Sequence, residues 1–340
     1  MLAIINAMVF SLLGVGLFLY LNLPLPWLLG AIFPLLFLSR LKKLSLQAPK
    51  PLIHPARALL GVAIGSSFTP HILSSFDIYM VSLAFMLPFL VCLIGIGYFY
   101  YFKVIGYDKK TSMFCALPGG LLEMTIMCES QGAHLKKVMT TQATRLLLIV
   151  YVIPFILQFI IDIDLSGNLI QQNAAGVVLT SEVIILIMTA LLGWWLAEKI
   201  GLSGASIVGP MTAVAILYLS GIISYKLHGE MINLAQLILG VRLGLSFSDI
   251  RLNVIIKNAL YASGLFLISL VLVSIFAYVI HFTTDIPLIA TFLAYVPGGQ
   301  AEMNVIAIVI GIHVPYIALH HVARMFLVIA FAPKIAKLAR

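Results

Sequence analysis

Charge is what this sequence has least of. Aspartate, glutamate, lysine and arginine make up 9% of its 340 residues, where a soluble domain carries about 25%. Acids are the scarcer half, at 12 against 20 cations. That scarcity excludes an ordinary water-facing surface. No polar stretch is long enough for a soluble domain, which excludes a cytosolic catalytic or DNA-binding module. Cysteine is nearly absent. Cys92, Cys115 and Cys128 lie in apolar segments without metal-type spacing, so no disulfide framework is expected. The first apolar run has no basic segment before it and no small-residue cleavage site after it, and its counterpart recurs mid-chain. It reads as a helix of the protein, not as a leader.

What is present is apolar. Hydrophobic residues make up 62% of the chain, and mean hydropathy is +1.13. Runs such as "VSLAFMLPFLVCLIGIGYFYYF" match the roughly 20 residues that cross a bilayer. The net charge of +8 then reads as an excess of Lys and Arg in cytoplasmic loops, not as a nucleic-acid surface.

Two interruptions carry more information than the runs. "LPGGLLEM" begins at Leu117 and "VPGGQAEM" at Val296. Laid on itself with an offset of 179, the sequence matches around them without a gap. Gly30 falls on Gly209, Gly61 on Gly240, Gly65 on Gly244, Arg145 on Arg324 and Pro154 on Pro333. Chance similarity of greasy segments would align Leu, Ile and Val, not this set. Residues 1–161 are therefore one copy and 174–340 a second, with "DIDLSGNLIQQN" (162–173) as linker. Each copy has six apolar elements. They lie near 3–21, 24–39, 56–75, 78–102, 110–131 and 135–161, then near 174–197, 203–224, 233–248, 257–280, 287–310 and 314–333.

Charge decides the relative orientation of the copies. "RLKKLSLQAPKPLIHPAR" carries five cations and its counterpart "LSGIISYKLHGEMINLAQ" one; "KK" at Lys136 faces "PY" at Pro315. Matched loops differ in charge while the intramembrane motifs persist, as inverted copies require. If the Pro-Gly-Gly element doubles back and the other five cross, the cytoplasmic side collects nearly every cation and Lys226 alone lies outside. The expected fold is an all-α polytopic membrane protein with two inverted-topology repeats of six elements. That gives about ten transmembrane helices plus two broken or re-entrant ones, both termini being cytoplasmic in a bacterial inner membrane.

Proline removes a backbone donor and disfavours helix before it, and two glycines allow a reversal. Freed backbone groups are tolerated in hydrocarbon only inside protein or beside a cavity. The candidate site is therefore built on Pro118, Gly119 and Gly120 in one copy and Pro297, Gly298 and Gly299 in the other. Each break starts a new helix whose positive end suits an anion. Glu123 and Glu302 fall at the third helical position, where they either close the helix start or meet the solute. Arg145 and Arg324 sit deep in apolar helices, paired with those glutamates or bound to solute. Arg242 has Ala63 as its counterpart and supplies a spare positive charge or snorkels. Gln142, Asn304, Gln300 and Thr125 are expected polar lining. His320 and His321 point about 100° apart; His320 shares a face with His313 and Arg324, and titrates in a range suited to a coupling proton.

At "PGG…EM…G…H…R…P", written twice over nearly the whole chain, the sequence resembles the bacterial membrane AbrB duplication family. That resemblance implies an inner-membrane protein with a duplicated unit. The family's labels conflict, naming ammonia monooxygenases, regulators of gene expression and transporters. A monooxygenase needs several His or carboxylate ligands converging on a metal. Here His54, His71, His134, His228 and His281 are scattered, and no flavin, haem or dinucleotide motif is visible. No enzyme activity, cofactor or metal site is expected. The expected function is secondary transport of a small anionic or polar solute, with a membrane sensor or regulatory partner as the alternative. The partners are the lipid bilayer, the solute and a coupling proton or sodium ion; self-association is compatible with this, nucleic acid is not.

Overall fold

Every regular element in the computed structural model is helical among the described residues. The structure describes residues 1–41, 44–119, 124, 127–129, 131–166, 181–223, 225, 227–248 and 252–338. The first copy gives α1 (Leu2–Tyr20), α2 (Ala31–Leu38, entered through a π-turn at Pro26–Gly30) and α3 (Lys50–Gly65). It continues with α4 (Phe76–Phe99, extended by a π-turn at Tyr100–Val104), α5 (Lys109–Ala116) and α6 (Leu135–Phe159). The second gives α7 (Ser181–Lys199), α8 (Ala205–Leu219), α9 (Gly229–Leu245) and α10 (Leu252–Thr284). It ends with α11 (Leu288–Tyr295), α12 (Gln300–Ile310) and α13 (Val314–Leu338). Moving α1, α5 and α6 on by 179 positions lands on the bounds of α7, α11 and α13.

One boundary differs from the sequence reading for a clear reason. The third element starts at Lys50, ahead of the expected 56, and stops at Gly65. Pro51 sits in its first turn, where the missing amide has no partner to lose, so the helix begins there.

Six helices are long and apolar enough to cross a bilayer: α1, α4 with its π-turn, α6, α7, α10 and α13. The other elements expected to cross, α2, α3, α8 and α9, are shorter. Large apolar side chains cover the outer faces, with Val91 71% and Leu260 70% exposed. Water would not tolerate such a surface and lipid does. The protein is a polytopic helical membrane protein.

The chain divides into two units, each drawing on both copies. Unit 1 comprises Met1–Ser74, Ile153–Asp249 and Asn304–Pro315; unit 2 comprises Ser75–Val152, Ile250–Met303 and Tyr316–Arg340. In unit 1 glycine sets the helix contacts. A Cβ on Gly61 of α3 would lie 2.5 Å from the Ile207 carbonyl oxygen of α8, and one on Gly240 of α9 2.8 Å from that of Leu28. Leu28 and Ile207 are equivalent positions. The next turn repeats the exchange, Gly65 against Met211 and Val214, and Gly244 against Ile32 and Leu35. Each copy's third helix thus lies on the other copy's second, at a distance only glycine permits. Both pairings advance in the same direction along the two helices. By contrast α1 and α2 run antiparallel: Ser11 Oγ donates to the Ala31 carbonyl at 3.0 Å, while Ala7 packs against Leu35. The Gln47 amide donates to the Ala3 carbonyl at 3.1 Å, which returns the chain to the start of α1 before α3 begins.

In unit 2 the equivalent helices α4 and α10 meet antiparallel. Phe89 faces Phe276 with ring centroids 5.3 Å apart, and further along Tyr100 Oη donates to the Tyr261 carbonyl at 2.9 Å. The ends of the first Pro-Gly-Gly segment lie side by side. Asp108 caps α5 by accepting from the Thr111 amide at 2.9 Å, and Thr111 Oγ1 accepts from the His134 amide at 3.0 Å. Lys110 Nζ donates to the Gln131 carbonyl at 3.0 Å. The segment therefore doubles back. Burial works against the Asp108 charge, but the Thr111 hydroxyl and amide outweigh it and hold the carboxyl below its usual range.

Candidate functional site

Both breaks are built the same way up to Pro118 and Pro297. α5 and α11 are each eight residues long, about 12 Å, less than half of a hydrocarbon core of about 30 Å. Each ends because the next residue precedes proline and turns extended, Leu117 at ψ 126° and Val296 at ψ 127°. Their last carbonyls are left without helical donors and carry the negative end of the helix dipole.

An arginine meets each of those ends. Arg145 donates to the Leu117 carbonyl at 3.2 Å and to Gln142 Oε1 at 2.5 Å. Gln142 donates in turn to the carbonyls of Phe114 at 2.8 Å and Leu117 at 3.0 Å. In the second copy Arg324 donates to the carbonyls of Val296 at 2.6 Å and Gly298 at 2.7 Å, and to His321 Nδ1 at 2.8 Å. His321 Nε2 donates to the Leu293 carbonyl at 3.0 Å. Leu117 and Val296, Phe114 and Leu293, Gln142 and His321, Arg145 and Arg324 are equivalent pairs. The same hydrogen-bond layout is therefore made twice, once with an amide and once with an imidazole.

A carbonyl can only accept, so Nε2 of His321 carries the proton and Nδ1 offers the lone pair to Arg324. His321 is neutral and locked. The two guanidinium groups are buried, with Arg145 8% and Arg324 4% exposed, and lie within electrostatic range of one another. Carbonyls satisfy their donors without cancelling their charge.

The remaining expected residues are placed as follows. α12 begins at Gln300, which puts Gly299 at its cap and Glu302 at its third position. The Glu302 carboxylate folds back so closely that a Cβ on Gly299 would collide with it. Gly120, Glu123 and Thr125 lie outside the described residues. Asn304 is fully buried on α12 and belongs to unit 1, as does Arg242, which is exposed in the last turn of α9. His313 precedes α13 in a turn with φ 39°, so the helical face read from spacing does not reach it. His320 turns away from His321, toward α4. Among the described residues no three His, Cys, Asp or Glu side chains gather closely enough to hold a metal ion, and the three cysteines are free.

One residue escaped the sequence reading. The Tyr101 hydroxyl is fully buried and has no hydrogen-bond partner among the described residues, within electrostatic range of Arg145. Lost among the aromatics of "YFYYFKV", it gave no sequence signal. A buried hydroxyl left unpaired costs about 1–3 kcal/mol, and no described residue offsets that cost. Tyr101→Phe is expected to leave the unfolding temperature unchanged or higher while weakening solute binding up to about tenfold, the worth of one hydrogen bond. A drop in unfolding temperature would show instead that the hydroxyl supports the fold.

Comparison with known proteins finds relatives over most of the chain. "Putative regulator AbrB" of Escherichia coli (strain K12) is 25% identical over 334 residues, covering 96% of this chain and 93% of the relative. "Uncharacterized protein YhjN" of Bacillus subtilis (strain 168) is 25% identical over 301 residues, covering 82% and 76%. The family described as "Transition state regulatory protein AbrB" matches residues 27–340. That span takes in both breaks, both arginines and the joint between the copies, more than one shared helix could produce: the chain belongs to the AbrB family.

Proposed function

We propose that the protein is a secondary transporter of a small polar solute, most readily an anion, held at the paired breaks. One observation carries this reading: Arg145 and Arg324, buried and uncancelled by their carbonyl partners, hold equivalent positions at equivalent interrupted helices. Broken helices with free ends at mid-depth are a common way for transporters to build a solute site. Reconstituted in liposomes, the protein is expected to accumulate members of a labelled panel of small organic and inorganic anions. The panel would be chosen by metabolite profiling of a deletion strain.

A second reading has its own support. The matching family and one relative carry regulator names, which fits a membrane sensor that binds the same anion and affects gene expression indirectly. Binding without uptake would favour the sensor, and neither binding nor uptake would end both readings.

The transport reading includes inverted copies in the inner membrane with cytoplasmic termini. It is supported by the antiparallel meeting of the equivalent helices α4 and α10 and by the first copy's hairpin, whose ends adjoin, as an odd number of crossings per copy requires. Single cysteines at Lys136 and Pro315, placed in a background without the native three, are expected to react with impermeant reagents from opposite faces. Labelling from one face would overturn the inversion.

A further inference from the structure

Ser82, Tyr316 and His320 form a hydrogen-bonded triad within unit 2, and none of the three has exposed surface. His320 Nδ1 lies 2.8 Å from the Tyr316 carbonyl, which can only accept, so Nδ1 carries the proton. Nε2 is then the lone-pair nitrogen, 2.9 Å from Ser82 Oγ, and the serine hydroxyl donates to it. Ser82 Oγ in turn lies 2.6 Å from Tyr316 Oη. Tyr295 Oη donates to the Ser82 main-chain carbonyl at 2.6 Å, fixing α11 against α4 at this level.

The neighbouring histidines differ in one respect that decides their chemistry. The second nitrogen of His321 faces an Arg324 N–H, which cannot accept a hydrogen bond, so His321 cannot take a second proton in place. The second nitrogen of His320 faces a hydroxyl, which can reverse. With a proton added at Nε2, the imidazolium donates to Ser82 Oγ, the serine hydroxyl turns toward Tyr316 Oη, and the Tyr316 hydroxyl hydrogen turns out of the triad. Only an N–H bond forms, and no heavy atom has to move. The positions equivalent to His320, Tyr316 and Ser82 are Thr141, Lys137 and Tyr261, so the symmetry-related set holds no imidazole.

Among the described residues the groups facing His320 are Tyr316, His321 and Arg324 on its own helix, Ser82 on α4 and Tyr295 on α11, with Tyr79 of α4 packed on the Tyr316 ring. None is a carboxylate. Arg324, one turn on, repels a second positive charge, and an anion lodged against Arg324 removes that repulsion. Binding of proton and anion is then mutually favourable. We propose that His320 is a proton-binding site relayed through Ser82 and Tyr316, and that an anionic solute at Arg324 is carried together with this proton. The coupling half of the proposal rests on the transport reading; the proton site does not.

The test follows the imidazole nitrogens by NMR in the full chain, labelled with [15N]histidine and held in lipid nanodiscs, from neutral pH down to the pH at which the fold is lost. One histidine is expected to pass reversibly from the Nδ1–H tautomer to imidazolium and to be missing from His320→Gln. Ser82→Ala, which leaves the ring intact, should stop the imidazolium from forming over this range and supplies the assignment if His320→Gln does not fold. His320 remaining neutral down to the pH at which the fold is lost overturns the site. Uptake by His320→Gln with the rate and pH dependence of the natural protein overturns the coupling while sparing the transport reading. A titrating His320 without any solute uptake upholds the site and overturns transport.

Discussion

Replacing Arg324 with alanine is expected to abolish solute uptake in protein that still purifies as a folded particle. Truncating one partner of a buried, hydrogen-bonded charge costs about 2–5 kcal/mol, or roughly 30- to 4,000-fold in affinity. Arg145→Ala should cost as much, because both arginines occupy the same place in the repeated layout. Either change also strips donors from the carbonyls at a helix break, so a loss of uptake could come from misfolding alone. Arg324→Lys separates the two causes. It keeps the charge and loses the planar fork that reaches Val296 and Gly298 together, so it should fold and retain part of the uptake. Full uptake by folded Arg324→Ala would remove the arginines from the solute site.

His321→Gln is expected to be silent, whereas His321→Leu should destabilise the protein strongly. Glutamine already does this job in the first copy, where Gln142 donates to Phe114 and accepts from Arg145. Leucine would leave the Leu293 carbonyl and an Arg324 N–H without partners, at about 1–3 kcal/mol for each buried group. Thermal unfolding in detergent should show a clear drop for His321→Leu, little change for His321→Gln, and little for the reciprocal Gln142→His. Because His321 is locked neutral, His321→Gln should also leave any pH dependence of uptake unaltered. A loss of pH dependence in that variant would transfer the proton to the wrong histidine and contradict the tautomer assigned here.

The features legible in the sequence are those that repeat in identity. The offset, the breaks and the arginines were visible because Pro118, Gly119, Arg145 and their counterparts are the same residues in both copies. The Gln142–His321 equivalence was not, since an amide and an imidazole look unrelated until both are seen bridging an arginine to a carbonyl. Nor was the triad around His320. Ser82 lies 238 positions from it and is an ordinary serine in an apolar run, so only folding gives it meaning. The start of α3 was missed because its first turns carry Lys50, Pro51 and Pro55 in place of an apolar run. His313 was given a helical face by spacing alone, and the turn before α13 removed it.

The interchanged glycine contacts of unit 1 bear on how such a chain could arise. A single half carries both sides of the joint, the glycine groove of its third helix and the backbone ridge of its second. If the copies are inverted as proposed, a half-length ancestor inserted in both orientations would already fit its own upside-down twin. Fusing two genes would then have added no new surface; it would have fixed the pairing and allowed the halves to drift apart, one keeping a threonine where the other has a histidine.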